Sequence, residues 1–258
     1  MSLRKCFIII SVGLILLFIV SAINSITGNP ISKFLAKRAA GDYIEDKYSD
    51  LDIEIKEVYY NFKFKTYGVN IQSKTSEDTS FTIYTDGLGN IDYDDYEHRV
   101  TNNFNTWNRL NMEIDERANQ LIRGELDYVF DKVFIQFIET SKDNQDLVKL
   151  HRDMKLDISS PPLPLETYII VFTEDVSYAK IAEVAKAIEK VLENHNIPID
   201  TYSVRLIPLS DKPKNEEEGV SWVNSLVVND FPKELMSEKN LPKVMEDYEL
   251  KNSLEQYK

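Results

Sequence analysis

The run Phe7–Ile23 (FIIISVGLILLFIVSAI) holds no charged residue, and Arg4 and Lys5 stand directly before it. No other feature limits so strictly what the chain can do. About 17 to 20 such residues, rising about 1.5 Å each, just cross a hydrocarbon core of about 30 Å. Positive charges ahead of a span favour the cytoplasmic side, so the remainder is expected on the extracytoplasmic side. A signal peptide starts the same way, but its apolar core is shorter and ends in a small-x-small site. Here the exit reads Ser21-Ala22-Ile23-Asn24-Ser25, in which only Ile23-x-Ser25 resembles one. An uncleaved single-pass anchor is the expectation. A cleaved signal and a buried core helix are the lesser readings.

The single cysteine, Cys6, precedes the apolar run, whereas an acylated lipoprotein cysteine follows it. Everything beyond the run therefore lacks a thiol, a disulfide and a cysteine-based zinc site. With 258 residues, 43% hydrophobic and 28% charged, the chain has the balance of one or two globular domains. The net charge of −13 excludes a general affinity for nucleic acid, which needs clustered Lys and Arg. Attraction to anionic lipid or wall polymer would need a local patch or a bridging cation.

Beyond Gly28-Asn29-Pro30, an amphipathic helix is predicted over 32–48, with Leu35, Ala39, Tyr43, Ile44 and Tyr48 on one face beside Phe34 and Ala40. Residues 53–65 alternate (Val58, Tyr60, Phe62 and Phe64 against Tyr59, Asn61, Lys63 and Lys65), which predicts a strand. Two more strands follow, at 69–73 and 81–85, and then the hairpin signal Asp86-Gly87-Leu88-Gly89-Asn90. A helix on this antiparallel sheet would bury Val58, Tyr60, Phe62, Val69, Ile71, Phe81 and Ile83.

From Tyr96 to Leu121 apolar residues recur every three or four, predicting a long helix that ends near Gly124. Asn102, Asn103, Asn105 and Asn108 lower its propensity, and a bend is expected there. Residues 126–138 are ambiguous: their aromatic and β-branched content favours strand, but Leu126, Val129, Phe130, Val133 and Phe137 also suit a helix. A short helix is predicted over 144–154, a linker at Ser159–Pro164, a strand at 167–172 and a helix from Ser177 to His195. Strands at 202–206 and 222–228 and a terminal helix over 241–257 complete the pass, with 212–219 as a charged loop. Strand–helix–strand order signals a crossover or split βαβ unit.

Three stretches carry a resemblance: Leu51–Phe64 (LDIEIKEVYYNFKF), Asn105–Leu110 (NTWNRL) and Glu174–Lys180 (EDVSYAK). They resemble the YfjL-like family, single-span membrane proteins of Gram-positive bacteria with no assigned activity. The resemblance implies an anchor followed by N-terminal and C-terminal α+β domains, and it brings no catalytic residue. The helix-plus-sheet unit is similar, more loosely, to extracytoplasmic PepSY-type domains, which suggests protein binding or inhibition by analogy of fold.

Candidate chemistry is sparse. His98, His151 and His195 have no ligand at zinc spacing, and His195 stands where it would cap a helix C-terminus. Ser177-Tyr178-Ala179-Lys180 matches Ser-x-x-Lys, but without Ser-Asp-Asn or Lys-Thr-Gly, and Ser177 sits where an N-cap is needed. Asp86, Asp92, Asp94, Asp95 and Glu97 surround the Gly-rich turn, and read as a solvated turn in preference to a calcium loop. Tyr59, Tyr60, Phe62, Phe64 and Tyr67 read as core before they read as a ligand platform.

The expectation is an α+β chain: anchor 1–28, an N-terminal domain 29–124 that includes the long helix, a connecting segment 125–164 and a C-terminal domain 165–258. No catalytic, metal or cofactor residue is assigned. The expected function is a non-enzymatic envelope module that binds a protein or peptide. The alternative is an envelope hydrolase with scattered carboxylates.

Overall fold

The structure is a computed structural model and describes residues 3–138, 149–215 and 218–255. It is α+β and divides into two compact units, Met1–Thr106 with His151–Asp153, and Trp107–Leu150 with Met154–Lys258.

The first unit opens with α1 (Leu3–Thr27), the one helix among the described residues long and apolar enough to cross a membrane. Its 25 residues extend about 37 Å, more than a hydrocarbon core needs. The helix stops at Gly28, whose φ of +78° a side chain would resist. A Cβ there would also come within 2.6 Å of Tyr60 Cβ. Asn29 then caps α2 (Pro30–Lys47): its side chain accepts from the Ile31 amide at 2.9 Å, and Pro30 fills the first helical position.

Helix α2 buries Ala36 and Ala40, whose small side chains let its backbone lie close to the sheet. Phe34, expected on that face, is exposed. It lies two residues from Ala36, about 200° round the helix.

Beneath α2 lies an antiparallel meander, β1 (Ile53–Asn61), β2 (Thr66–Ser73), β3 (Ser80–Thr85) and β4 (Ile91–Asp94), paired in that order. Val69, Ile71, Phe81 and Ile83 form its buried face, as their alternation predicts. Strand β4 was not predicted, because its four residues include two aspartates and only one aliphatic side chain. The strand expected over 53–65 stops at Asn61, whose carboxamide oxygen accepts from the amides of Lys63 and Phe64 and bends the chain into a turn. Lys65 completes the turn at φ 57°. Phe62 and Phe64, expected in the core, therefore stand exposed at a hairpin tip.

The helix predicted from Tyr96 breaks where its asparagines cluster. Glu97–Thr101 forms a π-turn, Asn103 takes φ 58°, and α3 runs from Phe104 to Glu125. Asn tolerates this left-handed backbone better than most residues do. The stripe Leu110, Ile114, Ala118 and Ile122 packs in the core of the second unit, so α3 belongs with the second sheet and not, as expected, with the first.

The second sheet has the order β5 (Val129–Phe137), β6 (Leu165–Thr173), β7 (Thr201–Pro208), β8 (Leu226–Pro232). Segment 126–138 resolves as strand: Val133, Ile135 and Phe137 are buried at a period of two. It is a sheet strand, not part of a connecting segment. Strands β6 and β7 are parallel neighbours joined by α4 (Tyr178–Asn194), a direct βαβ unit, while the outer pairs are antiparallel. Helix α5 (Leu241–Glu255) follows β8. The side chains that α3, α4 and α5 bury form one core with Ile169, Val171, Val204, Leu206 and Phe231.

Ser159–Pro164, expected as an interdomain linker, runs within the second unit and buries Leu163. The strand expected from Trp222 begins only at Leu226, since Ser225 Oγ donates to the Trp222 carbonyl and holds a turn there. Of the helix expected over 144–154, residues 144–148 lie outside the described residues and 149–154 form turn and coil.

Candidate functional site

The acidic residues around the Gly-rich turn do not converge. Asp86 accepts from the amides of Leu88 and Asn90 and from the Asn90 side chain, closing its own turn. Asp95 accepts from the Thr82 amide at 2.6 Å and from Arg99 Nε at 2.7 Å. Asp92 and Glu97 are exposed. Among the described residues no group of three or more His, Cys, Asp or Glu side chains could hold a metal ion.

Asp94 differs from these. Its side chain is 6% exposed and accepts four hydrogen bonds, from Tyr43 Oη (2.7 Å), Lys47 Nζ (2.8 Å), Tyr48 Oη (3.0 Å) and the Tyr96 amide (3.0 Å). Burial pushes its pKa up, but the hydrogen bonds from Lys47, Tyr43, Tyr96 and Tyr48 together outweigh it and leave the pKa below the ordinary value. Hydrogen bonds to Asp94 and Tyr43 hold the Lys47 pKa above normal, and burial pushes the Tyr48 hydroxyl up to about 12. This cluster ties the last turn of α2 to β4. It is a clasp with every partner occupied.

A second polar cluster, which sequence reasoning missed, joins distant segments of the first unit. Asp78, 2% exposed, accepts at Oδ2 from Thr106 Oγ1 (2.8 Å) and the Asp153 amide (2.7 Å). Asp153 accepts in return from Ser76 Oγ and the Asp78 amide. No local pattern announces it, because the two aspartates lie 75 positions apart.

The histidines are carried by separate elements. His98 stacks on Phe104 with centroids 4.7 Å apart, His151 lies in the short segment that joins the first unit, and the His195 ring pairs with Glu125. His195 does occupy the C-cap of α4, but its ring is turned to the carboxylate. Ser177 is the N-cap of α4, accepting from the Lys180 amide at 3.2 Å, while Lys180 Nζ pairs with Glu183 at 2.6 Å and lies over the Tyr128 ring. Ser177→Ala is expected to destabilise the second unit by about 1 kcal/mol, and Ser177→Asp to restore most of it. Stoichiometric labelling of Ser177 by a fluorophosphonate or β-lactam probe would overturn the structural role.

Of the five aromatics considered as a ligand platform, Tyr67 is buried and Tyr60 packs against the core with it, ring centroids 4.9 Å apart. Tyr59 lies outside that core, its ring over its cross-strand partner Gly68, and Phe62 and Phe64 are exposed.

A preorganised, partly exposed side-chain set lies on the outer face of the second sheet. Ile170, Phe172 and Ile207 form a small cluster there with Tyr168 and Val220. Arg205 is pinned on three sides: Nε donates to Tyr168 Oη (3.3 Å), Nη1 to Ser225 Oγ (2.8 Å), and its guanidinium lies 4.6 Å from the Trp222 ring centroid. Trp222 is 48% and Val223 88% exposed, and Phe134, opposite Tyr168 in register, is also exposed. An aromatic–arginine set with its side-chain entropy already spent is the composition that anchors protein contacts. The sequence places Trp222 and Val223 inside a strand over 222–228, and only the structure shows them exposed before β8.

The class is thus a two-unit α+β chain behind a helix long and apolar enough to cross a membrane. Family models for the YfjL-like N-terminal domain and the YfjL-like C-terminal domain match residues 3–95 and 113–246. The chain belongs to the YfjL-like family. No curated protein and no solved structure matches it.

Proposed function

We propose that the chain is a membrane-anchored, extracytoplasmic binding or regulatory module of a Gram-positive envelope that recognises a protein or peptide partner through the Arg205–Trp222 surface. The observation carrying this reading is the preorganised arginine: three contacts fix its plane while Trp222 and Val223 remain open to solvent. Arg4 and Lys5 before the apolar run support an N-terminus in the cytoplasm.

A photo-crosslinking residue at Val223 of the full chain, in native membranes, tests the surface. One discrete adduct is expected, lost in Trp222→Ala and not formed from the exposed position Met112 on α3. The same adducts from 223 and 112, or a 223 adduct indifferent to Trp222, would sink the proposal. Protease added to wall-stripped cells should digest a C-terminal tag, and a protected tag would reverse the topology.

A further inference from the structure

Two of the three hairpin tips of the first sheet, β1–β2 and β3–β4, lie at the end where α1 joins it. Tyr60 and Tyr67, the last cross-strand pair but one before the β1–β2 turn, flank Gly28, and the Asn29 amide donates to Tyr67 Oη at 2.9 Å. The β3–β4 turn reaches the same end, since a Cβ on Gly89 would lie 3.1 Å from the Leu35 carbonyl oxygen. None of the apolar window of α1 is buried, so the helix stands away from the sheet and leaves from this end.

Large apolar side chains are exposed all round that exit. Ile31 and Phe34 at the start of α2, Phe62 and Phe64 on the first tip, and Leu88 on the second are 65% to 77% exposed. Soluble surfaces seldom gather so many in one place. Cations accompany them: Lys63 and Lys65 on the tip, Lys33 and Lys37 on α2, with Lys63 Nζ 5.4 Å from the Phe64 ring centroid. This is a local basic patch on a chain whose net charge is −13.

The dimensions match a bilayer surface. Five helical residues, about 7.5 Å, separate Ile23 at the end of the uncharged run from Gly28. Beyond Tyr60, Asn61 adds one strand residue, about 3.4 Å, and the turn it opens carries Phe62 on in the same direction.

We infer that this end of the first unit is a lipid-facing collar: Phe62, Phe64, Leu88, Ile31 and Phe34 enter the interface of the bilayer that α1 crosses, and the lysines meet anionic headgroup phosphates. The inference rests on α1 being a membrane anchor. It goes further by fixing which surface of the folded unit touches lipid.

Full-length protein with Cys6→Ser and one new cysteine, Phe64→Cys or Thr75→Cys at the far end of the sheet, would be labelled with a nitrobenzoxadiazole dye. It would then be reconstituted into phosphatidylglycerol–phosphatidylcholine vesicles. Lipids nitroxide-labelled near the headgroup should quench the label at 64 by about two-fold or more and leave 75 nearly unchanged, with iodide showing the reverse order. Lys63→Glu with Lys65→Glu should weaken the lipid quenching at 64. Equal iodide quenching at both positions in protein that still co-floats with vesicles would overturn the collar and leave the anchor standing. Protection at 64 from both quenchers would also overturn it, in favour of a protein contact. Failure to co-float would overturn the anchor, and the collar with it.

Discussion

Asp94→Ala is expected to destabilise the first unit by about 3 kcal/mol. The substitution leaves two tyrosine hydroxyls and the Tyr96 amide without their acceptor, at about 1 to 3 kcal/mol for each buried group. Lys47 adds little, because its side chain is half exposed and water screens the pair. Asp94→Asn keeps an acceptor oxygen but turns a donor toward the others, and should fall between. Hydrogen exchange at the amides of β3 and β4 reads the change locally, and a loss under about 0.5 kcal/mol would reduce the clasp to a surface contact.

The same carboxylate sets an acid limit. Its folded pKa lies below its ordinary value, so its stabilisation is complete above about pH 4 and is lost as pH falls through the lowered pKa. The wild-type first unit should therefore loosen in acid, while the alanine variant, already without that contribution, should show a flatter acid limb. Lys47 works at the opposite end: with its pKa raised, its share is present at neutral pH and fades only above its ordinary value near 10.4.

Phe231→Ala should cost the second unit about 3 to 5 kcal/mol, the loss of a fully buried ring together with the cavity it leaves. The ring meets Tyr248 of α5 edge to face at 5.2 Å, so α5 should lose its hold on the sheet first. Phe231→Leu, which keeps most of the volume, should cost roughly 1.5 kcal/mol. Both tryptophans, Trp107 and Trp222, belong to the second unit, so their emission in urea follows that unit alone. An unchanged midpoint for Phe231→Ala would mean that the inner face of β8 contributes little to the core.

What the sequence disclosed followed the range of each signal. The apolar run, the alternation in β2 and β3, the stripe of α4 and its Ser177 cap are all local, and the structure carries them where their periods put them. The alternation through Phe62 and Phe64 misled because residue type does not say where pairing stops, and Asn61 bends the chain first. For α3 the stripe of Leu110, Ile114, Ala118 and Ile122 said that a face was buried, but not against which sheet. The Asp78–Asp153 clasp and the surface around Arg205 needed tertiary contacts that no spacing encodes. Asp94 was visible as part of an acidic turn, yet only the approach of Tyr43, Lys47 and Tyr48 takes it out of water.

The two sheets also differ in the order in which a growing chain can complete them. Each pairing in the first sheet joins consecutive strands through a short turn, so every step closes a small loop and the meander zips from one end. The second sheet has at its centre a parallel pair whose strands come together only after all of α4 lies between them, and parallel pairings of that kind form slowly. A chain emerging N-terminus first therefore presents the first unit ready-made while the central strands of the second still await their partners. Of the two, the second unit is the one with longer exposure to mispairing and the greater need of protection before it closes.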